Sequence, residues 1–338
     1  MVLWVLMLLT VIVGEFCYTM RTRVNITRNF KESTQAYYIA VAGVNKAIEQ
    51  IIRQEITPRV RVSVDTQTGE AIEDPAPAWR INTDIAPMAF ENGEYEVRIE
   101  NESGKVNINQ ATKAMLDTLL SGFDMDPSEK DIIVDSIMDW RDADRNHRLN
   151  GAEDDYYQSL PEPYDCKDDN FDSPDELLFV RGVTPEIYYQ GLAPLVTVFP
   201  KNKKQGLASG SKNPKKEFNY NQLNVNSITS EMWAALPGMT EELIADIMEY
   251  RAEQDFNSVG EVQPIVGPEV YRGIAGYLTT ETTPYFTIRT TGRISGSRTS
   301  DGVTAVVRFD QQSQEKYQII QWTDENTRPK QRMVRPAS

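Results

Sequence analysis

Asp142, Asp144, Asn146, Arg148, Asn150 and Glu153 occupy the first, third, fifth, seventh, ninth and twelfth places of a twelve-residue stretch. Those are the ligand places of an EF-hand calcium loop, where the seventh ligand is a backbone carbonyl. Leu149 supplies the apolar eighth residue. Ca²⁺ takes six to eight oxygens, and short oxygen-bearing side chains at alternating places can fold around it. The pattern departs at its sixth place, where His147 stands instead of the glycine of the sharp turn, and Gly151 comes too late. The expectation is one Ca²⁺ in the 142–153 loop, with Arg148 contributing its carbonyl; the alternative is a loop held by ordinary turns. The setting is acidic, with thirteen acids against four bases in residues 139–176. Asp168, Asp169 and Asp172 form a possible second metal site.

Composition narrows what other chemistry is available. The 338 residues include 50 acids and 35 bases, a formal charge of −15, which argues against a free-standing nucleic-acid binder. Two cysteines, Cys17 and Cys166, exclude a disulfide-rich scaffold and a cysteine zinc cluster. With His147 the one histidine, a Ser-His-Asp arrangement could form only around that residue. No G-x-S-x-G, H-E-x-x-H, G-x-G-x-x-G or P-loop pattern occurs. A calcium-dependent hydrolase has no identifiable nucleophile–base pair, so the chain reads as a non-enzyme.

The elements that must position the acidic loop follow from periodicity. Residues 1–13 are apolar except for Thr10, and Arg21 and Arg23 mark a water boundary. The apolar rhythm continues through Tyr37, Val41, Val44, Ile48 and Ile51, one face of a helix. A single N-terminal helix over 1–57 is expected, membrane-anchoring first and amphipathic after. Val60, Val62 and Val64 alternate as a strand, and 75–93 reads as a loop. Tyr95, Val97 and Ile99, a turn at 101–104, then Val106 and Ile108 read as a hairpin. Strands return at Phe286–Ile288, Val303–Phe309 and Tyr317–Trp322, before a basic tail over 324–338.

The region between the strand blocks repeats itself. Val106-Asn107-Ile108-Asn109 matches Leu223-Asn224-Val225-Asn226, and Ile137-Met138-Asp139-Trp140-Arg141 matches Ile247-Met248-Glu249-Tyr250-Arg251. Phe171-Asp172-Ser173 matches Phe256-Asn257-Ser258, and the Pro185–Tyr188 block matches Pro268–Tyr271. The offset shrinks from 117 to 83, so the acidic segment between Arg141 and Phe171 is extra to the first copy. The division is strands over 58–109, an inserted α-helical domain over 110–280, and strands over 281–323. Repeat one covers 106–199, a lysine-rich linker 200–217, and repeat two 218–280.

Repeat two, around Leu236-Pro237-Gly238-Met239-Thr240, resembles the helix-hairpin-helix unit of competence-type DNA-binding proteins. A membrane-tethered DNA binder is therefore the alternative reading. It lacks the second glycine of that pattern, and Glu241 and Glu242 would repel phosphate at the helix start.

The order of the pieces is more specific: the long helix, strands, "KVNIN", "SIMDWRDAD", "NGAEDDYY", "ELLFVRGVTPEIY", closing strands. It resembles the general secretion pathway protein K family, the large minor pseudopilins of type II secretion. The resemblance implies an α+β, type IV pilin-like fold, a long N-terminal helix on a small antiparallel sheet, with the two-repeat helical domain inserted between strands. It also implies calcium in the insert and a place at the pseudopilus tip, nucleating assembly with two other minor pseudopilins to support export of folded periplasmic proteins. The major pseudopilin and the inner-membrane assembly platform are further implied partners. A basic leader ending in Gly, cut by the prepilin peptidase, is expected upstream of Met1 or already removed. The implied location is the inner membrane, single-pass, with the head in the periplasm and no nucleic-acid partner.

Overall fold

The computed structural model describes residues 2–56, 62–64, 71–73, 79–82, 85–201, 218–310 and 313–325. The lysine-rich linker beyond Lys201 and the basic tail beyond Glu325 lie outside the described residues.

Helix α1 runs Val2–Ile56 without a break, 55 residues and ~80 Å at the rise of an α-helix. Its first half is apolar and turned outward: Leu3, Trp4, Val11 and Phe16 are all well exposed. This helix is long and apolar enough to cross a membrane. Its second half buries one stripe: Ala36, Ile39, Ala40, Val44, Ala47, Ile48 and Ile51. Tyr37 and Val41, expected on that stripe, are only partly buried and flank it. Alanines hold the centre because the helix lies close to its support.

That support is a five-stranded antiparallel sheet. After the short pair β1 (Val62–Val64) and β2 (Ala71–Glu73) come β3 (Met88–Phe90) and β4 (Gly93–Asn101). The insert follows, and β9 (Tyr285–Ile294), β10 (Ser300–Phe309) and β11 (Tyr317–Glu325) complete the order β11-β10-β9-β4-β3. Alternating residues Tyr95, Val97, Ile99, Ile288, Val303, Ala305 and Val307 form the core under α1. Met88–Phe90 lies in the stretch read as loop. Three residues beside Pro87 carry too little period to be seen.

Gly292 fixes the distance between the layers. A Cβ there would stand 2.1 Å from the Ala36 carbonyl and 2.7 Å from the Ala40 amide nitrogen. Beside it the Thr290 hydroxyl donates to the Ala40 carbonyl at 2.9 Å. Gly292→Ala should push helix and sheet apart and cost about 1–3 kcal/mol, read as a lower urea midpoint at unchanged slope. An unchanged midpoint would refute the close contact.

The hairpin expected between the 95–99 and 106–108 runs does not form. Strand β9 pairs with the full length of β4, from Gly93 to Asn101. The other edge is taken by β3 at Gly93–Tyr95 and by the Asn82 amide, which donates to the Ile99 carbonyl at 2.7 Å. Among the described residues, Asn82 thus holds the end of β4 where a returning strand would pair. The Asn101 side chain accepts from the Ser103 amide at 3.0 Å and turns the chain outward. Strand β5 (Val106–Asn107) then pairs in parallel with β6 (Val196–Thr197), ninety residues on in sequence.

Between β5 and β6 lie α2 (Lys113–Leu120), α3 (Pro127–Arg141), α4 (Asp154–Tyr157) and the short α5 (Pro185–Ile187). The second copy runs β7 (Leu223–Asn224), α6 (Ser230–Ala234), α7 (Glu241–Glu253), α8 (Gln263–Val266), α9 (Pro268–Ile274) and β8 (Leu278–Thr279). There β7 pairs in parallel with β8, so each copy begins and ends on its own two-stranded clasp.

The matched letters are matched contacts. Asn109 brackets Phe171, accepting from its amide at 2.7 Å and donating to its carbonyl at 3.0 Å. Asn226 does the same to Phe256, at 2.8 and 2.9 Å. Arg141 donates to the Ile108 and Ala111 carbonyls, and Arg251 to those of Ile228 and Asn226. Thr112 caps α2 and Thr229 caps α6. One continuous core spans both copies, with Met115, Leu116, Ile133, Tyr157, Phe171 and Trp233 fully buried.

Candidate functional site

Helix α3 ends at the acidic segment and carries two buried acids toward it, Asp135 and Asp139. Asp139 stands one place before Trp140, which packs edge-on against Tyr157 and stacks on Phe171. Tyr164 stacks on Tyr157 and meets Phe179. This aromatic cluster is the floor over which residues 142–173 are laid. Arg181 pins its rim, donating to the Gly151 carbonyl at 3.0 Å with its guanidinium 4.6 Å above the Tyr156 ring.

The 142–153 loop uses its polar groups unevenly. Arg148 turns inward and its guanidinium pairs with Asp139 and with Asp142, the latter at 2.6 Å. Its amide also donates to Asp139, at 3.0 Å, and its carbonyl accepts from the Gly151 amide at 3.1 Å. Gly151 is required by this packing, because a Cβ there would fall 1.8 Å from a carboxylate oxygen of Asp139. Asn150 donates from amide and side chain to Asp135, which Lys113 also holds. Asp144 is exposed and accepts from the Asn146 amide and side chain, both at 2.9 Å. His147 lies exposed with Nδ1 3.0 Å from the Arg148 carbonyl.

Glu153 differs from all of these. It is 3% exposed, and neither carboxylate oxygen has a hydrogen-bond partner. One oxygen each of Asp142 and Asp168 is buried and unpartnered as well. Donor atoms of Glu153, Cys166 and Asp168 all lie within 4.8 Å of one another. Burial, with Asp139, Asp168 and Asp142 nearby, pushes the Glu153 carboxyl up to about 7. Burial, with Glu153 and Asp168 beside it, pushes the Cys166 thiol up to about 12. Asp168 is held at φ +52°, a left-handed conformation that an aspartate adopts at some cost and that aims it into the group.

Of the residues singled out by spacing, Glu153 thus meets Asp168, the first member of the other expected site, while Asp142 pairs with Arg148. Asp144, Asn146 and Asn150 bond elsewhere. Asp169 accepts from the Asn170 amide at 2.6 Å, and Asp172 is tied to Lys167 and Lys201, which hold its carboxyl down at about 2. Spacing missed Asp139 and Cys166. Asp139 carried a signal, its place in the repeated Ile-Met-Asp-Trp-Arg block; Cys166, thirteen residues from Glu153, carried none. Chemically, the arrangement is a desolvated cluster of anionic oxygens with one thiol. It repels itself unless protonated or joined by a cation.

The helix-hairpin-helix resemblance finds its hairpin already occupied. Gly238 makes the left-handed turn at φ +78°. The Thr240 hydroxyl then accepts from the Leu243 amide and caps α7, with Glu241 and Glu242 in the first turn. The amides a phosphate would use face acids and a satisfied cap, and no comparison supports DNA binding.

A long apolar helix merging into a sheet-packed half, with a clasped helical domain set between β4 and β9, defines a pilin-like subunit. Residues 93–201 match the family model for type II secretion system protein K, first domain. The type II secretion system protein K of Pseudomonas aeruginosa is 25% identical over 274 residues, 76% of this chain and 72% of that one. A putative protein K of Escherichia coli K12 is 31% identical over 186 residues, 51% of this chain and 50% of its own. A chain from the crystal structure of the GspK–GspI–GspJ complex of the enterotoxigenic Escherichia coli type 2 secretion system shares the fold. Its TM-score is 0.58 at 16% identity, covering 89% of this chain and 99% of that one. The chain is thus similar to type II secretion system protein K, as its motifs implied.

Proposed function

We propose that this protein is the large minor pseudopilin at the tip of a type II secretion pseudopilus, structural and not catalytic, nucleating its assembly. The carrying observation is the exposed apolar half of α1 joined to a pilin-like head whose insert departs between β4 and β9. Pilin-like subunits stack by bundling such helices, and a bulky insert on one head obstructs further stacking on its outer side. The helix would sit in the inner membrane with the head in the periplasm, after the prepilin peptidase has removed a leader. The major pseudopilin and the inner-membrane assembly platform would receive it there, in support of export of folded periplasmic proteins.

The partners would be two other minor pseudopilins, as the solved relative is named in a complex with GspI and GspJ. Co-expression of the full chain with the corresponding two subunits of its own system, in detergent, should yield a stable complex of one copy each. A chain that stays alone with both partners present at tens of micromolar would refute the assignment.

The same proposal gives the acidic cluster a structural Ca²⁺. The unpartnered oxygens of Asp142, Glu153 and Asp168 fit a hard divalent cation, and these three would hold it. Asp144, Asn146, Asn150 and the Arg148 carbonyl stand around the same loop as the remaining expected ligands. Bound Ca²⁺ supplies positive charge, so that the loop's carboxylates no longer repel one another and the segment is fixed over its aromatic floor.

A further inference from the structure

The formal charge of the chain is −15, yet bases gather where the apolar half of α1 gives way to the head. Residues 21–31 hold Arg21, Arg23, Arg28 and Lys31 and no acid, and all four bases are exposed. A second element comes to the same place. The turn between β9 and β10 lies against α1, where the Ser297 hydroxyl donates to Glu32 at 2.7 Å, and it carries the exposed Arg298. Strand β11 ends there too. Glu325 pairs with Gly302, whose neighbour Asp301 accepts from the Ser33 hydroxyl at 2.8 Å. The chain leaves β11 at that point, and its next thirteen residues hold Arg328, Lys330, Arg332 and Arg335 without an acid. Several acids of this end are already engaged: Glu32 by Arg28 and Ser297, Asp301 by Ser33, Glu325 by Thr304. With Glu91, Glu94 and Asp324 counted as well, nine bases face six acids.

We propose that these bases form a collar for anionic phospholipid headgroups, which holds the base of the head against the membrane surface. The inference rests on the reading that the apolar half of α1 lies in a membrane. At the rise of an α-helix, Arg28 stands ~10 Å and Ser33 ~18 Å along the axis from Arg21. The first distance is about one Debye length at physiological salt, so Arg21, Arg23 and Arg28 all sense a charged bilayer surface. Thirteen residues can span at most ~40 Å, so the bases after Glu325 are within reach of that surface. Guanidinium forks match phosphate oxygens, and three of the four bases after Glu325 are arginines. An acidic protein face would also attract this charge. It gives no reason for the bases to begin where the apolar run ends, which a headgroup layer does.

The test uses the full chain in a neutral detergent, offered phosphatidylglycerol and phosphatidylcholine of the same acyl chains, with retained lipids counted by native mass spectrometry. Phosphatidylglycerol should be retained at about one-tenth of the phosphatidylcholine concentration, and raised salt should erase the difference. The variant Arg21→Gln, Arg23→Gln, Lys31→Gln, Arg298→Gln should lose most of the preference. All four side chains are exposed, so its urea midpoint should match the wild type. Equal retention of both lipids by the wild type overturns the proposal. So does a preference that survives the four substitutions while the complex with the two partner subunits is lost, which would give these bases to a protein face. Flotation separates the membrane reading from this one. A chain that fails to float with phosphatidylcholine vesicles and with 7:3 phosphatidylcholine–phosphatidylglycerol vesicles overturns both. A chain that floats with both but shows no lipid preference overturns the collar alone.

Discussion

In EDTA, the stability of the protein should fall by about 3 kcal/mol as pH rises from ~4.5 to ~7, and Ca²⁺ should restore most of it. The cause is Glu153, whose carboxyl is pushed from the ordinary 4.5 to about 7 by burial and by Asp139, Asp168 and Asp142. The groups facing it are those three acids and the Cys166 thiol, and the nearby loop cation, Arg148, is committed to Asp139 and Asp142. Below ~4.5 folded and unfolded chains both carry the Glu153 proton, and the stabilisation is complete. Between the two values the folded chain keeps the proton that the unfolded chain has lost, so each rise in pH favours unfolding. Above ~7 both are ionised and the loss is complete. Asp172, held down near 2 by Lys167 and Lys201, acts in the opposite sense but in a lower window. A bound cation would replace the proton, so saturating Ca²⁺ should flatten the dependence. Glu153→Gln should flatten it in EDTA and abolish the Ca²⁺ response. Denaturant melts across this window provide the measurement. A midpoint indifferent to pH in EDTA, or a slope that survives Glu153→Gln, would refute the assignment.

What could be read from the sequence here depended on how local the cause was. The spacing of 142–153 marked the right loop, because a ligand pattern is written in consecutive residues. It could not show that Arg148 turns inward and neutralises Asp139 and Asp142 with its own guanidinium. Nor could it show that Asp168 returns to Glu153, since an intervening segment and an aromatic floor decide that meeting. The repeat was legible for the opposite reason. Asn109 and Asn226 make the same bonds in both copies, and Arg141 and Arg251 each reach two carbonyls of the corresponding turn, so the constraint appears twice. The fold class followed from the helix's change from all-round to one-sided apolar character. The hairpin at 101–104 was misread because alternation marks a strand without naming its partner. With β9, β3 and Asn82 already on β4, Val106 had to find Val196.

The twin arginines supply the other large effect expected. Arg251 is 5% exposed, and burial lowers its guanidinium to about 10, still charged at neutral pH. Among the described bonds its fork joins the Ile228 and Asn226 carbonyls, tying the end of α7 to the turn that opens repeat two. Arg251→Met keeps the buried stem and removes both donors, stranding the buried Ile228 carbonyl, while the Asn226 carbonyl keeps the Asn82 side-chain amide at 3.2 Å. One stranded acceptor should cost about 1–3 kcal/mol. Arg251→Lys should not rescue it, because a point charge cannot replace the planar fork. Arg141 is itself half-buried but donates to the carbonyls of Ile108 and Ala111, two fully buried residues. Arg141→Met, which frees two buried carbonyls, should therefore cost more than Arg251→Met, at about 2–5 kcal/mol. Urea melts of the three variants give the ranking, and equal losses, or rescue by lysine, would refute the account. Hydrogen exchange locates the damage. Amides of α6 and α7 should lose protection before those of β9 and β10, because the sheet's core under α1 is a separate cluster from the core shared by the repeats.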